Sequence, residues 1–110
     1  MTLYLENKSG LTIENKEYNN IHLKNCHDIY IVNTKIHDTI KCESCTGIKS
    51  SCHAKVVDTY DCDSSWFKNA KDIYMKKSNG VAYDNNVIHL HNGIEYERYV
   101  LGTIPIDDTE

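Results

Sequence analysis

Short alternating triplets, in which two apolar residues flank a different middle residue, recur along this 110-residue chain. The clearest are Leu3-Tyr4-Leu5, Ile21-His22-Leu23, Ile29-Tyr30-Ile31 and Ile73-Tyr74-Met75. Alternation over three residues is typical of a very short β-strand with two side chains inward and one outward. Asn, Asp, Gly, Ser and Lys, most of which favour tight turns, separate the triplets. The pattern therefore predicts an all-β chain, with no long 3.6-residue stripe that would indicate a helix.

The steady interval between the triplets predicts a solenoid. They recur about every 8.5 residues from residue 3 to residue 88, whereas strands joined by hairpins are usually longer. Short strands at a fixed interval indicate a parallel β-helix, in which each strand pairs with its equivalent one coil away. Grouping by threes links the triplets that start at residues 3, 29, 54 and 81. We therefore predict a small β-solenoid of about four three-sided coils of about 26 residues each; a two-sided coil is the alternative.

A cysteine-rich stretch, KCESCTGIKSSCH at residues 41–53, raises the question of a metal site. Cys42, Cys45, Cys52 and His53 are residue types that bind structural zinc, so a zinc-stabilised module is one hypothesis. The phase of the repeat favours another explanation, because cysteine recurs three residues before a strand, where a small, weakly polar residue turns inward. Five residues share this position: Cys26, Cys45, Cys62, Ala70 and Ser78. We expect no metal and no other cofactor.

The same turn-and-strand units carry a family resemblance. The segments NCHDIYIVNTKIHD and SCTGIKSSCHAKVVD resemble coils of right-handed parallel β-helix proteins of the pectate-lyase-like group. They are also similar to the β-helical domain of cyclase-associated proteins and tubulin-folding cofactor C. The resemblance covers roughly residues 3–90 and implies a fold without a catalytic signature. The arginine with which the cofactor C group acts on a GTPase has no counterpart in the repeats, because the only arginine is Arg98.

The middle residue of each triplet is expected to face solvent, and these residues are the candidates for binding. Tyr and Trp on a rigid sheet give contact area at low entropic cost and are frequent hot spots of interfaces. The predicted partner-binding residues are Trp66, Tyr30, Tyr74, His22 and Lys49. No nucleophile elbow, phosphate loop or paired-carboxylate motif is present, so we predict no catalytic residues and no enzyme activity.

Composition narrows the possible partners and locations. Sixteen acidic and twelve basic residues give a net charge of −4, which argues against a nucleic-acid partner. No apolar run is long enough to span a membrane. The N-terminus lacks the pattern of a signal peptide, and five cysteines without one indicate reduced thiols in the cytoplasm.

The leading hypothesis is a non-enzymatic protein-binding module that presents one flat face of the solenoid. One form of it is a phage or mobile-element inhibitor of a host defence system, comparable to an anti-CRISPR protein. A carbohydrate-binding or carbohydrate-active β-helix fragment is the alternative that the pectate-lyase-like resemblance implies, and the zinc-stabilised module is the second alternative. The repeats occupy residues 1–90; residues 91–110 are predicted to form a C-terminal cap or dimerisation segment with an acidic tail.

Overall fold

The strands follow one another around a solenoid in the computed structural model, which describes residues 1–84 and 89–91, with side chains for residues 1–78 and 81–84. The first coil contains β1 (Thr2–Glu6), β2 (Thr12–Glu14) and β3 (Glu17–Tyr18). The second contains β4 (Asn20–Lys24), β5 (Tyr30–Val32) and β6 (Lys35–Ile36). The third contains β7 (Thr39–Glu43) and β8 (Lys49–Ser50), and the fourth β9 (Ala54–Tyr60) and β10 (Asp63–Phe67). The fifth contains β11 (Ala70–Lys76) and β12 (Asn79–Tyr83), after which β13 (His89–His91) begins another coil.

Equivalent strands of successive coils pair in parallel and form three sheets. Sheet A has the order β1-β4-β7-β9-β11-β13, sheet B has the order β12-β10-β8-β5-β2, and sheet C contains β3 and β6. No helix occurs in the described ranges. The predicted fold class, an all-β parallel β-solenoid, is therefore confirmed, with about five coils. The predicted C-terminal cap at residues 91–110 lies, apart from the backbone of His91, outside the described residues.

The predicted coil length is wrong, because each coil is shorter than three triplets. Leu3 pairs with Ile21, whereas the grouping by threes placed it beside Ile29. In the same way, Trp66 pairs directly with Ala82 of the next coil. The strands of sheet C are only two residues long, so they are too short to show alternation in the sequence. The coils are consequently shorter and more numerous than the four that were predicted.

A bulge in β9 explains why the spacing of the triplets did not indicate the correct coil length. The amides of Lys55 and Val56 both donate to the carbonyl of Asp38, at 3.0 and 3.3 Å, as when an extra residue is inserted into one strand. The register then places Val57, and not Val56, opposite Ile40. The triplet that was read at residues 54–56 therefore started too early, which made the correct grouping by twos look uneven.

The third side of the solenoid is confined to the first two coils. On sheet B, Lys49 pairs with Tyr30 of the second coil and with Trp66 of the fourth. The chain from Lys49 to Trp66 is shorter than the chain from Tyr30 to Lys49, and the difference equals the length of the sheet C strand β6. Among the described residues, the third and fourth coils therefore contribute strands to two sheets only, and β6 is an open edge of sheet C.

The core consists of inward strand residues that stack from coil to coil. Ile21, Ile40, Val57 and Ile73 occupy one position of sheet A in successive coils, and each has an exposed fraction of 1% or less. Full burial of one such side chain stabilises the fold by about 1.5–3 kcal/mol. The inward phase predicted from the triplets is correct at these positions, apart from the shift at Val57.

The corner between sheets A and B repeats one turn, and this turn explains most of the cysteines. At the corner the backbone takes a positive φ of 51–61° at Asn7, Asn25, Ser44, Asp61 and Lys77, a conformation that Asn and Asp tolerate better than most residues. From the second coil onwards the next residue is buried: Cys26, Cys45, Cys62 and Ser78. Four of the five predicted copies of the unit are therefore equivalent. The fifth, NAKDIYM at residues 69–75, lies at another corner and leads into sheet A.

The polar atom of the buried residue in this turn is itself satisfied by a strand-end carbonyl. The thiol of Cys45 donates to the carbonyl of Glu43 at 3.2 Å and lies 3.4 Å from that of Leu23 in the preceding coil. The hydroxyl of Ser78 donates to the carbonyl of Lys76 at 3.1 Å. The carbonyls of Glu43 and Lys76 also accept from the amides of Asn25 and Asp61, both at 2.8 Å. Because a buried polar side chain without a hydrogen bond is costly, these carbonyls allow a small residue with a weak donor to occupy the inward position.

Candidate functional site

The outer surface of sheet B carries one straight row of residues, which we call the sheet B ladder. Its members pair in register from strand to strand: Thr12, Tyr30, Lys49, Trp66 and Ala82. Neighbouring strands are about 4.8 Å apart, so Tyr30 and Trp66 are separated by about twice that distance with Lys49 between them. Three of the five predicted partner-binding residues thus lie side by side.

Two lysines lie over the aromatic rings of the ladder. Lys49 Nζ is 5.2 Å from the centre of the Tyr30 ring, and Lys68 Nζ is 5.8 Å from the centre of the Trp66 ring. At these distances a cation is attracted by the face of the ring. The Tyr30 side chain is nevertheless 45% exposed, and Trp66 is half-buried. The ladder therefore offers aromatic surface and positive charge together.

The other two predicted residues, His22 and Tyr74, lie on sheet A and do not join the ladder. They belong to a separate outward row that contains Tyr4, His22, Lys41, Asp58 and Tyr74. The five predicted partner-binding residues are therefore divided between two faces, because the chain turns a corner between β4 and β5 and places His22 and Tyr30 in different sheets.

The outer face of sheet A is largely paired within itself. His22 Nε2 lies 2.7 Å from Glu43 Oε2, and the edge of the His22 ring packs against Tyr4 with ring centres 4.9 Å apart. The hydrogen bond with His22 lowers the pKa of Glu43. On this face, the polar groups of His22 and Glu43 therefore already have a partner.

The cysteine-rich stretch does not bring a set of metal ligands together in the described part of the chain. Its cysteines are free and buried, and the described residues contain no group of three or more His, Cys, Asp or Glu side chains arranged to hold a metal ion. Cys52 is buried, whereas the adjacent His53 is exposed, so these two point in different directions. The hydrogen bond to Cys45 and burial raise the pKa of Cys62 and that of Cys42, and the same hydrogen bonds lower the pKa of Cys45. Cys62 and Cys42 are therefore protonated and unreactive thiols.

A groove that the sequence analysis missed lies where sheet C stops. It has a volume of about 600 Å³ and is lined by Lys16, residues 33–37 and residues 51–53; we call it the sheet C groove. It exists because the third coil has no strand next to β6. The sequence contains a signal for it, since the turn residue Asp61 follows Ser44 sooner than Ser44 follows Asn25. That shortening locates the coil in which the third side is lost.

Comparison with known proteins finds no relative of this chain. The sequence matches no protein-family model, and it has no significant match among curated proteins or solved structures. In the described part of the chain, no helix is long and apolar enough to cross a membrane.

Proposed function

We propose that this chain is a non-enzymatic protein-binding module and that the sheet B ladder contacts its partner. The observation that carries the proposal is the register of sheet B, in which Tyr30, Lys49 and Trp66 occupy the same position of three consecutive strands. Aromatic and basic side chains grouped in this way have the composition of interface hot spots.

The backbone under the ladder favours binding because it is already ordered. The amide of Lys49 donates to the carbonyl of Ile29, and the amide of Trp66 donates to the carbonyl of Ile48, both at 2.9 Å. Binding to a surface that is fixed beforehand costs little conformational entropy. The lysines of this surface favour a partner with an acidic patch around an apolar centre.

The experiment is a capture assay that compares the two faces of the solenoid. Immobilised wild-type protein is compared with the double variant Trp66→Ala, Tyr30→Ala and with the control double variant Tyr4→Ala, Tyr74→Ala, which removes two aromatic rings from sheet A. A stable partner that is retained by wild type and by the control but lost by the ladder variant supports the proposal. Equal loss in both folded variants, or no partner with wild type, contradicts it.

The inhibitor form of the proposal adds that the captured partner is a component of a host defence system. It is tested by identifying the retained protein and assaying its activity with and without this chain. Inhibition by wild type and not by the ladder variant supports it. Full activity of the identified component in the presence of wild-type protein contradicts it.

The carbohydrate alternative uses the same ladder, because Trp and Tyr rings on a flat sheet also stack on sugars. It depends on kinship with the pectate-lyase-like group. Trp66 is the only tryptophan, so its fluorescence reports contact with this surface directly. Quenching by acidic polysaccharides would favour the alternative, and unchanged emission across the polysaccharides would leave the protein partner as the better account.

A further inference from the structure

We propose that the sheet C groove binds an acidic peptide in an extended conformation, which pairs with the open edge of β6. This site is separate from the sheet B ladder and does not depend on its function. Two independent observations support it, one from backbone hydrogen bonding and one from charge.

The backbone observation concerns Ile36. The amides of Lys35 and His37 donate to the carbonyls of Lys16 and Tyr18 in the first coil, at 2.9 and 3.0 Å. Because backbone groups alternate along a parallel strand, the N–H and C=O of Ile36 point the other way, towards the third coil. Neither group has a hydrogen-bond partner among the described residues.

The opening next to Ile36 is closed on both sides. Before it, the amide of Thr34 donates to the sulfur of Cys52 at 3.3 Å. After it, the carbonyl of Asp38 accepts from both Lys55 and Val56. The unpaired edge is therefore short and occupies the place that a third strand of sheet C would take. Ile36 is only 4% exposed but lines the groove. An incoming extended segment can fill that place by strand addition, since the backbone donor and acceptor of Ile36 are both unpaired among the described residues.

The charges around the groove favour an acidic segment. Its lining includes Lys16, Lys35, His37 and His53 and contains no Asp or Glu. Glu17 lies close to the groove: its Oε2 is 2.6 Å from His37 Nε2, and it pairs in register with Lys35. Lys16 and Lys35 are exposed, and in the described part of the chain neither forms an ion pair within 4 Å. They leave positive charge at the mouth of the groove, which a peptide with alternating glutamates complements.

The test is a titration of the isotopically labelled full chain with the acetylated, amidated peptide Glu-Val-Glu-Val-Glu, followed by amide resonances and by calorimetry. We expect saturable binding with the largest shifts at Ile36 and its neighbours. The double variant Lys16→Gln, Lys35→Gln is expected to bind about tenfold more weakly, as two exposed charge pairs would allow. The control double variant Lys8→Gln, Lys24→Gln loses the same charge away from the groove and is expected to bind as wild type does.

The contribution of strand pairing is tested on the peptide instead of the protein. N-methylation of the central glutamate removes one backbone donor and leaves the charge of the peptide unchanged. N-methylation of either valine also removes one donor, but on the opposite edge of the peptide strand, because backbone N–H groups alternate between the two edges. We expect one of these two kinds of peptide, the one that loses the donor facing β6, to bind about tenfold more weakly. Three results would each overturn the proposal. They are the absence of saturable binding, equal weakening of binding in the two double variants, and full affinity of every N-methylated peptide. Inorganic phosphate that displaces the same resonance shifts with the same affinity would also overturn it, because the groove would then be a general anion site.

Discussion

His22 of β4 and Glu43 of β7 join two successive coils across the outer face of sheet A, with His22 Nε2 2.7 Å from Glu43 Oε2. The hydrogen bond from His22 lowers the pKa of Glu43 below its ordinary value of 4.5. Because this pKa is lower in the folded protein than in the unfolded chain, the contact stabilises the fold above pH 4.5. The stabilisation is lost as the pH falls through the folded-state pKa.

We therefore expect Glu43→Gln to lower the melting temperature at about pH 5.5 and to have no effect at about pH 2, where the carboxylate is protonated in both states. Thermal unfolding followed by circular dichroism at the two pH values measures this. The control is Glu14→Gln, which changes an exposed glutamate on β2 and should not alter the melting temperature at either pH. A loss for Glu43→Gln that is the same at both pH values would contradict the role of the carboxylate charge.

Trp66 and Phe67 are adjacent but face opposite sides of sheet B. Phe67 is 1% exposed, so we expect Phe67→Ala to lower the free energy of unfolding by about 3–5 kcal/mol. Trp66→Ala removes a half-buried ring that contacts a lysine and should cost about 1 kcal/mol. Urea unfolding of both variants measures the difference. A larger loss in Trp66→Ala than in Phe67→Ala would mean that the ladder belongs to the core.

Gly47 and Gly10 occupy equivalent turns, with φ of 70° and 68°, but have different surroundings. A Cβ at Gly47 would lie 2.6 Å from Asp28 Oδ1, whereas a Cβ at Gly10 would have no atom within 4 Å. Both alanine variants incur about 1–2 kcal/mol for left-handed backbone. We therefore expect Gly47→Ala to be clearly more destabilising than Gly10→Ala in urea unfolding.

The cause of that difference can be tested separately. Asp28 itself has a positive φ of 57°, a conformation that glycine adopts readily. Asp28→Gly therefore keeps the backbone conformation and removes the carboxylate that a Cβ at residue 47 would contact. In the Gly47→Ala background it should restore part of the lost stability. Equal stability of the two glycine variants, or no recovery, would show that Asp28 does not crowd this turn.

The thiols are expected to be protected by the fold. All five cysteines are free and buried, and the raised pKa of Cys42 and of Cys62 disfavours the reactive thiolate. The hydrogen bonds with these two lower the pKa of Cys45, so Cys45, which is 1% exposed, is protected by burial alone. Native protein should therefore react slowly with an aromatic disulfide reagent, and all five thiols should react in denaturant. Cys52, which is 7% exposed and lines the sheet C groove, should be the first to react.

The same samples test the zinc hypothesis. If the cysteines serve only as small inward donors, a strong chelator should leave the melting temperature unchanged and elemental analysis should find no stoichiometric metal. A melting temperature that falls with chelator, together with one metal ion per chain, would contradict this account of Cys42, Cys45 and Cys52.

The sequence predicted which way side chains point better than it predicted which ones meet. Alternation in Ile29-Tyr30-Ile31 decides burial locally, and the structure confirms it, with Ile29 and Ile31 buried and Tyr30 45% exposed. Neighbours across strands depend on coil length, which in turn depends on strands as short as Lys35–Ile36. The error in coil length therefore placed Tyr30 in one row with Tyr4, although they lie in different sheets.

The sheet C groove shows a second limit. It is made by backbone groups of Ile36 that have no partner among the described residues and by a strand that the third coil does not form, and neither feature leaves a motif in the sequence. The turn spacing did contain the required information, but only when the equivalent residues Asn25, Ser44 and Asp61 were aligned by their positive φ. Side-chain pattern alone mixed this turn with the different corner at Asn69.

The first two coils are separated by one constant interval on all three sides. Thr2 pairs with Asn20, Thr12 with Tyr30 and Glu17 with Lys35, and the chain between the partners has the same length in each pair. Neither coil therefore contains an insertion relative to the other. Residues 2–19 thus form one repeat that the second coil copies residue for residue. The fourth and fifth coils also repeat with one constant interval, since Asp63 pairs with Asn79 and Ala54 with Ala70, but their interval is shorter. The solenoid can therefore in principle be lengthened by inserting whole repeats of either length.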